Sequence, residues 1–314
     1  MNNLETSGLI KRYCPLCHAD DFTTMISMKQ GQFTLNNPAY RLDRIHELSL
    51  PSDQLYPIVA CKSCGMVYTL YHLTDEKEAL LYDRIIDPDY SKSKVTTLKR
   101  KISDNKTWLL LLHLLSNDKA NLSGAIKILD YGCGWGTLLQ VAAGTRDVVA
   151  IGLDVASYKV QAAQNNGVTV LGTEEQLYPL APFDLAVSTS VLEHLRNPIE
   201  AVQTMAKLLR PKGFALITCI IKDIDHLSKW KGIKHKLDHG APITKNISPW
   251  EHLNYFTNET FNLMLNNAGF IPVKSPGLWV DSSNAIIAAT KKMAANYLSE
   301  VAPSRMISSC WQKL

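Results

Sequence analysis

The amino-acid sequence predicts an α/β fold, a doubly wound parallel sheet covered by helices, preceded by a small metal-binding module. Two patterns support this prediction. Between residues 125 and 220, short apolar runs rich in β-branched side chains alternate with segments of helical periodicity, which is typical of βαβ units. Before residue 75 the chain instead carries two Cys-x-x-Cys pairs. A chain of 314 residues with 46% hydrophobic content can bury one large core and a smaller one.

The bulk composition excludes some classes of protein and leaves others open. The 33 basic and 29 acidic residues give a formal charge of +4, which is too small an excess to indicate nucleic-acid binding by itself. The most apolar stretch, residues 108–115, is interrupted by His113 and is far shorter than the roughly 20 residues of a membrane span. The first residues carry no apolar leader, so we expect a cytoplasmic protein whose cysteines stay reduced.

The cysteine pairs predict a structural zinc site. Cys14 and Cys17 form the sequence CPLC, and Cys61 and Cys64 form CKSCG. Four thiolates suit a closed tetrahedral zinc site, which leaves no position for a reacting water. The segment between the pairs, residues 18–60, exceeds the usual spacing of about 15 to 20 residues, so the pattern indicates metal binding more strongly than a compact ribbon. Free buried cysteines are the alternative.

The middle of the chain predicts helices and then the strands of the sheet. Residues 75–120 carry apolar side chains near helical spacing, at Ile102, Leu109, Leu112 and Leu115. We expect this helical region to link the two parts of the chain and to cover part of the substrate. The expected strands are AIKILDY (125–131), DVVAIGLD (147–154), VTVLG (168–172), FDLAVSTS (183–190) and FALITCI (214–220), followed by VKS (273–275) and NAIIAATKK (284–292).

A glycine-rich turn follows the first strand of the sheet. Gly132, Gly134 and Gly136 stand between that strand and a helix expected to start near Thr137. Ligands of such sheets bind at the carboxyl ends of the strands, and a turn without side chains lets a ligand approach the backbone. A G-x-G-x-x-G fingerprint would need its third glycine at Thr137, so we expect the tight helix packing of that glycine to be missing.

A carboxylate ends the second strand. Asp154 occupies the position from which a side chain can hold both ribose hydroxyls of an adenosine. This feature is common to sites for NAD and for S-adenosylmethionine, so the residues alone leave both cofactors open.

The order of the motifs resembles the class I S-adenosylmethionine-dependent methyltransferases over about residues 125–290. The resemblance implies a Rossmann-like, seven-stranded sheet whose last strand is antiparallel, with S-adenosylmethionine as cofactor. It rests on LDYGCGWG, GLD, GTEEQL, FDLAVSTSVLEHL and LLRPKGF, which follow one another in the family's order.

The same resemblance implies a set of cofactor contacts. Asp130, Gly132 and Gly134 would line the methionine end, Asp154 would hold the ribose, and Val155 would lie against the adenine. Thr173 stands where the family usually has an acidic side chain near the adenine, with Glu174 directly behind it. Tyr90 would cover the cofactor or pack between domains. The other expected contacts are Cys133 and Ser188.

Two segments supply side chains for the methyl acceptor. Glu193 and His194 follow the fourth strand, and the segment WEHLNYF contributes His252 and Tyr255, which resemble the substrate-side residues of the family. A positioned base assists transfer when the nucleophile is a hydroxyl. A structural role is the alternative for each histidine.

The expected domain organisation follows from these motifs. We expect an insertion at 221–250 to be a lid whose lysines receive an anionic acceptor, or else a solvated loop. The division is a zinc-binding module (1–74), a helical linker (75–124), a methyltransferase domain (125–292) and a tail (293–314).

The expected reaction is methyl transfer to an oxygen or carbon of a small molecule, such as an intermediate of natural-product or sugar biosynthesis. Three alternatives stay open. The first is an RNA methyltransferase that uses the zinc module, although the basic residues form no evident stripe with aromatics. The second is a non-catalytic cofactor-binding module that recruits a partner, and the third is a dehydrogenase. The sequence does not determine the oligomeric state.

Overall fold

The chain folds into two compact units that interleave along the sequence. The computed structural model describes residues 8–35, 37–116, 124–220, 227–241, 243, 246–272 and 306–313. The first unit contains Met1–Ser91, Leu192–Glu200 and Ile220–Met264, and the second contains Lys92–Val191, Ala201–Cys219 and Leu265–Leu314. The sequence-based boundaries at 74, 124 and 292 divide the chain linearly, whereas each compact unit assembles segments that are far apart in sequence.

The strands number thirteen among the described residues. They are β1 (Leu9–Lys11), β2 (Phe22–Lys29), β3 (Leu55–Cys61), β4 (Val67–Thr69), β5 (Tyr71–Leu73), β6 (Ile126–Tyr131), β7 (Val148–Leu153), β8 (Thr169–Leu171), β9 (Phe183–Thr189), β10 (Leu209–Ile220), β11 (Asn254–Tyr255), β12 (Phe270–Pro272) and β13 (Met306–Lys313).

The α-helices alternate with the later strands, as the sequence predicts. They are α1 (Gln30–Thr34), α2 (Asp75–Leu80), α3 (Pro88–Val95), α4 (Leu98–Ser116), α5 (Thr137–Ala143), α6 (Ser157–Asn165), α7 (Pro198–Leu208), α8 (Leu227–Asp238) and α9 (Asn258–Asn267). Shorter turns of helix cover Leu42–Leu48, Leu81–Ile85, Glu174–Gln176 and Tyr178–Leu180. Within the described ranges, every helix is too short or too polar to cross a bilayer.

The second unit contains the predicted seven-stranded sheet, in the order β12-β13-β10-β9-β6-β7-β8. The strands from β10 to β8 pair in parallel, and β12 pairs with β13 in antiparallel register. The doubly wound fold is therefore confirmed. The predicted strands VKS and NAIIAATKK lie outside the described residues.

The strand between β12 and β10 is β13, which falls in the range expected as a tail. Backbone hydrogen bonds can join any extended segment to a sheet edge, and an apolar run alone does not select which segment pairs there.

Helix α4 belongs to the core of the second unit. Trp108 and Leu111 are buried against the sheet and α5, and the Trp108 indole Nε1 donates to Thr145 Oγ1 at 2.8 Å. Leu109, which the sequence placed on the apolar face, is 52% exposed. That part of the prediction is wrong because the large tryptophan ring sets which face of the helix meets the sheet.

The first unit is built on a four-stranded antiparallel sheet in the order β11-β4-β3-β2, beside the antiparallel pair β1 and β5. Helix α8 packs against β2 in this unit. Trp230, Ile233 and Leu237 form its buried face, while Lys231 and Lys234 are exposed. The described part of the expected insertion is thus an amphipathic helix with a packed side.

We expect the two leucines of α4 to differ sharply in their effect on stability. Leu111→Ala should lower the free energy of unfolding by about 2–5 kcal/mol, because it leaves a cavity in the core. Leu109→Ala should change it by less than about 0.5 kcal/mol, because the side chain faces water. Urea unfolding followed by circular dichroism measures both, and equal losses would contradict the orientation of α4.

Candidate active site and metal centre

The turn after β6 has a backbone that only glycine adopts readily. Gly132, Gly134 and Gly136 have φ values of +79°, +55° and +70°. A Cβ atom on Gly132 would lie 2.3 Å from Cγ2 of Val191, so the turn is pressed against the residues that follow β9. A Cβ on Gly134 would meet no described atom within 4 Å. The backbone is therefore open at Gly134, where a ligand can approach.

The third glycine supplies the packing that the sequence analysis expected to be missing. A Cβ on Gly136 would lie 3.0 Å from the Cβ of Ala163 and 3.0 Å from Cγ2 of Val168. The close approach between α5 and α6 thus depends on Gly136. The expectation was wrong because it required the dinucleotide spacing, whereas this turn is one residue shorter.

Asp154 is held at the carboxyl end of β7 by two backbone amides. Gly134 donates its N–H to Oδ2 at 2.8 Å, and Ala156 donates to Oδ1 at 3.0 Å. The carboxylate is therefore fixed beside the open part of the turn. The next side chain, Val155, is 87% exposed and offers an apolar surface next to it.

Asp130 is buried at the end of β6. It is 6% exposed, and burial raises its pKa to about 7, which the nearby Arg100 opposes and Asp104 and Asp154 reinforce. Arg100 and Asp104 form an ion pair on α4 with Nε and Oδ1 2.8 Å apart. The sequence analysis missed this pair, because charges at i and i+4 on a helix usually mark a solvated face.

Buried hydroxyl groups lie at the carboxyl edge of the sheet. Ser188 is fully buried near the end of β9, and its Oγ has no hydrogen-bond partner among the described residues. Oγ1 of Thr218, on the neighbouring β10, is also buried without a hydrogen-bond partner among the described residues. An orphaned hydroxyl is costly unless something else binds it, so both groups fit a site that holds a polar ligand. The sequence analysis named Ser188 and missed Thr218.

Thr173 and Glu174, which lie just beyond β8, have structural partners. Thr173 caps the short helical turn that follows it. Glu174 accepts hydrogen bonds from the hydroxyls of Tyr131 and Thr204, the latter at 3.0 Å. Glu174 therefore connects the last residue of β6 with the middle of α7.

Two further expected contacts lie in packed surroundings. The Cys133 side chain sits in a core cluster with Leu139 and Ala163, and burial raises its pKa. The side chain of Cys133 therefore packs in the core, and only its backbone is left to contact a ligand at the turn. Tyr90 is half-buried on α3, in the first unit.

These features fit S-adenosylmethionine. The open backbone at Gly134, the positioned carboxylate of Asp154, the exposed Val155 and the orphaned Ser188 hydroxyl supply the kinds of group that a nucleoside with a charged amino-acid end requires.

The first unit brings His194 and His252 together. Their ring centroids are 4.7 Å apart, and both side chains are half-buried. Nδ1 of His252 lies 2.7 Å from the carbonyl oxygen of Asn246, which can only accept. Nδ1 therefore carries the proton, and Nε2 is the basic nitrogen of the neutral ring.

Glu193 directly precedes His194 in the sequence, and Tyr255 follows His252 by three residues. Both side chains are buried. Glu193 is 2% exposed, and its carbonyl accepts the N–H groups of Leu253 and Asn254. Tyr255 is 3% exposed, packs edge-on against Trp230, and has a hydroxyl without a partner among the described residues. Burial raises the pKa of Tyr255, so its phenol stays protonated at neutral pH.

The four cysteines converge in the first unit. Antiparallel pairing of β2 with β3 sets Cys61 opposite Phe22 and closes the long gap between the pairs. The sulfur atoms all lie within 4.8 Å of one another, with 3.5 Å from Cys14 to Cys64 and from Cys17 to Cys61. Sulfurs around a tetrahedral zinc are about 3.8 Å apart, given Zn–S bonds of about 2.3 Å, so the cluster is compatible with structural zinc.

Backbone amides favour the thiolate form at one of these cysteines. Burial raises the pKa of Cys61, but N–H groups of Cys64 and Ser63 donate to its sulfur and bring the pKa down to about 7. Burial raises the pKa of Cys14 to about 11. Zinc binds the thiolate, so Cys61 provides the ligand that needs least deprotonation.

Comparison with known proteins identifies the family. The model of a methyltransferase domain family matches residues 98–275. The ubiquinone biosynthesis O-methyltransferase of Glaesserella parasuis serovar 5 is 31% identical over 129 residues, which cover 35% of this chain and 54% of the relative. The mitochondrial ubiquinone biosynthesis O-methyltransferase of Rattus norvegicus is 29% identical over 154 residues, covering 45% and 44%. The chain thus spans about half the length of the curated relatives it matches.

A solved structure shows the same fold. The plantazolicin methyltransferase BamL, determined with a triazolic desmethylPZN analog and SAH, superposes with a TM-score of 0.51 at 16% identity. The match covers 76% of this chain and 94% of that protein.

The fold and the glycine turn define an α/β protein that binds a nucleoside cofactor at the carboxyl edge of its sheet. Because the family model spans residues 98–275, more than half of the 314 residues, the chain belongs to the class I S-adenosylmethionine-dependent methyltransferases. The resemblance seen in the sequence motifs is confirmed.

We expect Asp154→Ala to weaken S-adenosylmethionine binding by about 100-fold, because the family resemblance predicts that this carboxylate accepts charge-assisted hydrogen bonds from the ribose hydroxyls. Zinc content should stay the same. Isothermal titration calorimetry measures the affinity, and Asp147→Asn, which removes a charge at the opposite end of β7, is the matched control. Unchanged affinity in the Asp154 variant would contradict the ribose assignment.

We expect the raised pKa of Asp130 to make the free energy of unfolding decrease as the pH rises. Burial makes the protonated form of Asp130 the favoured one in the folded state. Its contribution to the free energy of unfolding is therefore complete below the unfolded pKa of about 4 and is lost as the pH rises through the folded pKa of about 7. The side chain in Asp130→Asn stays neutral. Between pH 4 and 8, the free energy of unfolding of this variant should therefore increase by up to about 4 kcal/mol relative to wild type. Urea unfolding of both proteins across this range tests it, and a pH-independent difference would show that Asp130 ionises normally.

Proposed function

We propose that this protein transfers a methyl group from S-adenosylmethionine to a hydroxyl oxygen of a small molecule. The observation that carries the proposal is the distance of 2.7 Å between Nδ1 of His252 and the carbonyl oxygen of Asn246. The Nδ1–H of His252 donates to the Asn246 carbonyl, which makes Nε2 the nitrogen that accepts a proton. The printed names of the relatives, O-methyltransferases of ubiquinone biosynthesis, support oxygen as the acceptor atom.

The cofactor side of the proposal assigns roles to residues of the second unit. S-adenosylmethionine, when bound, supplies an electrophilic methyl group on a sulfonium. The backbone of Gly132, Cys133 and Gly134 would receive its amino-acid end with Asp130, and Asp154 would bind the ribose. The remaining contacts are Val155, Thr173 and Glu174 at the adenine, Ser188 at the sheet edge, and Tyr90 as a cover.

The acceptor side assigns roles to residues of the first unit. His252 Nε2 would take the proton of the acceptor hydroxyl, and His194 would orient that hydroxyl or share the proton. Alignment of nucleophile, methyl and sulfur dominates such displacements, so positioned groups contribute through geometry as well as basicity. Glu193 is buried and Tyr255 stays protonated, so we assign them to shaping and hydrogen bonding instead of proton removal.

The exposed face of α8 supports the part of the proposal that concerns the class of acceptor. Lys231, Lys234 and Lys236 lie on this face with His235 and His239, whose rings are 4.1 Å apart. Such a face suits an anionic acceptor, for example a phosphate-linked sugar or a carrier-bound acid of a biosynthetic pathway. A cytoplasmic location stays a prediction.

Two other functions are distinguished by the same assay. Labelled methyl groups in RNA, with binding that weakens steeply with salt, would indicate an RNA methyltransferase. Tight cofactor binding without turnover on any fraction would indicate a binding module. The assay therefore offers labelled S-adenosylmethionine with small-molecule and RNA fractions in parallel.

We expect His252→Gln to lower kcat about 10²- to 10⁴-fold, because the variant lacks the proton acceptor. The affinity for S-adenosylmethionine should be unchanged. Steady-state kinetics on the acceptor found in the screen measures the effect. His46→Gln is the control for a general loss of histidine, because His46 is exposed and its Nδ1 also lies against a backbone carbonyl oxygen. A fully active His252 variant would refute the role of this residue as base.

A further inference from the structure

Arg12 is a buried arginine that binds backbone from distant parts of the first unit. It is 6% exposed. Its Nη1 donates to the carbonyl of Leu253 at 2.8 Å, and its Nη2 donates to the carbonyl of Arg196 and to Oδ1 of Asn254, both at 2.9 Å. Its Nη1 also lies 3.2 Å from Oγ1 of Thr69. The planar guanidinium therefore joins three segments that are far apart in the chain.

Asn254 extends this network around His194. Its Nδ2 donates to the carbonyls of Leu192 at 2.9 Å and Leu195 at 2.6 Å. The carbonyl of Glu193 accepts the backbone N–H groups of Leu253 and Asn254 at 2.8 and 3.0 Å. The carbonyls on both sides of His194, at positions 192, 193, 195 and 196, are thus all bound by Arg12 or by residues 253–254.

The same contacts hold His252. The carbonyl of Leu253, the residue that follows it, accepts from Arg12 Nη1 and from the N–H of Thr69 at 3.0 Å. The histidine ring itself is tied to Asn246. The rings of His194 and His252, 4.7 Å apart, are therefore both flanked by backbone that Arg12 or Asn254 binds.

The chemistry of Arg12 indicates a geometric role. The acceptors described above are neutral oxygens, and burying a cation among neutral groups costs stability compared with an apolar side chain of similar size. What arginine adds is a rigid fork with donors at fixed angles, which lysine does not have.

Arg12 is also attached to the metal centre. It lies two residues before Cys14, and its own N–H donates to the carbonyl of Leu70 at 2.8 Å. Within the first cysteine pair, Cys14 donates to the carbonyl of Ala19 and accepts from the N–H of His18, so the chain turns tightly there. Arg12 therefore lies directly before the turn that carries Cys14 and Cys17.

We propose that Arg12 and Asn254 are positioning residues that set the geometry of the histidine pair, and that the cysteine cluster acts on the acceptor side through Arg12. This inference rests on the proposed function of His252. It assigns the amino-terminal module a part in the reaction without any contact to cofactor or acceptor.

The test uses Arg12→Lys, which keeps the charge and removes the fork. We expect kcat to fall at least about 10-fold, since small misplacements of reacting groups cost up to about 100-fold. Affinity for S-adenosylmethionine and zinc content should stay within twofold of wild type. Lys11→Ala is the matched control, because Lys11 precedes Arg12 and its described side-chain contacts, an ion pair with Asp20 and cation–π contacts with Tyr13 and Phe22, involve no partner of Arg12 or Asn254.

A spectroscopic readout separates positioning from general destabilisation. Long-range ¹H–¹⁵N correlations report the tautomer and surroundings of His194 and His252. These resonances should move in Arg12→Lys, and also in Asn254→Asp, which keeps the acceptor for Arg12 and loses both donors to Leu192 and Leu195. They should stay unchanged in Lys11→Ala. Removal of zinc from the wild-type protein should move the same resonances.

The possible outcomes distinguish this inference from the proposed function. If His252→Gln loses turnover while Arg12→Lys and Asn254→Asp keep wild-type kcat and imidazole resonances, the positioning role is wrong and the base assignment stands. If His252→Gln stays active, the proposed function fails, and the resonances alone decide the positioning role. If both network variants fail to fold, unchanged imidazole resonances after complete zinc removal from wild type would overturn the inference.

Discussion

The cofactor side of this protein depends on the absence of a side chain at Gly132. The ends of the neighbouring strands β6 and β9 approach so closely that a single Cβ atom would overlap Val191 at 2.3 Å. The chain passes this point with a positive φ, which lets the amide of Gly134 reach Asp154 and lets α5 begin beside α6. Gly134 then leaves the turn open, and Gly136 allows the close packing of α5 on α6, so each of the three glycines meets a separate steric requirement of the same turn.

The first unit has a buried core of its own, which includes Met28, Ile58 and Phe256, and its short strands are joined by directional contacts as well. Four cysteine sulfurs and one buried guanidinium provide the connections there, and each joins segments that are distant along the chain. Metal ligation and a forked hydrogen-bond donor are both directional, so they determine geometry as well as stability. A unit of this kind can hold side chains such as His194 and His252 at a defined separation.

The two carboxylates of the cofactor side illustrate how surroundings assign chemistry. Both are aspartates near the end of a β-strand, and the difference between their surroundings is visible only in the structure. Burial raises the pKa of Asp130 to about 7, whereas backbone amides bind both oxygens of Asp154. The first therefore responds to pH and to a cationic ligand, while the second offers a fixed acceptor for hydroxyl groups.

The sequence by itself determined the strand and helix alternation, the glycine turn, the ligand set of the cysteine cluster and the family, because each is a local pattern of period or spacing. It failed for the face of α4 that Trp108 selects, the packing role of Gly136 and the strand that fills the sheet between β12 and β10. It also gave no sign of Arg12, whose partners at 196, 253 and 254 are far away in the chain. Only the tertiary structure decided these features, since packing and hydrogen bonding depend on distances in space that no local pattern encodes.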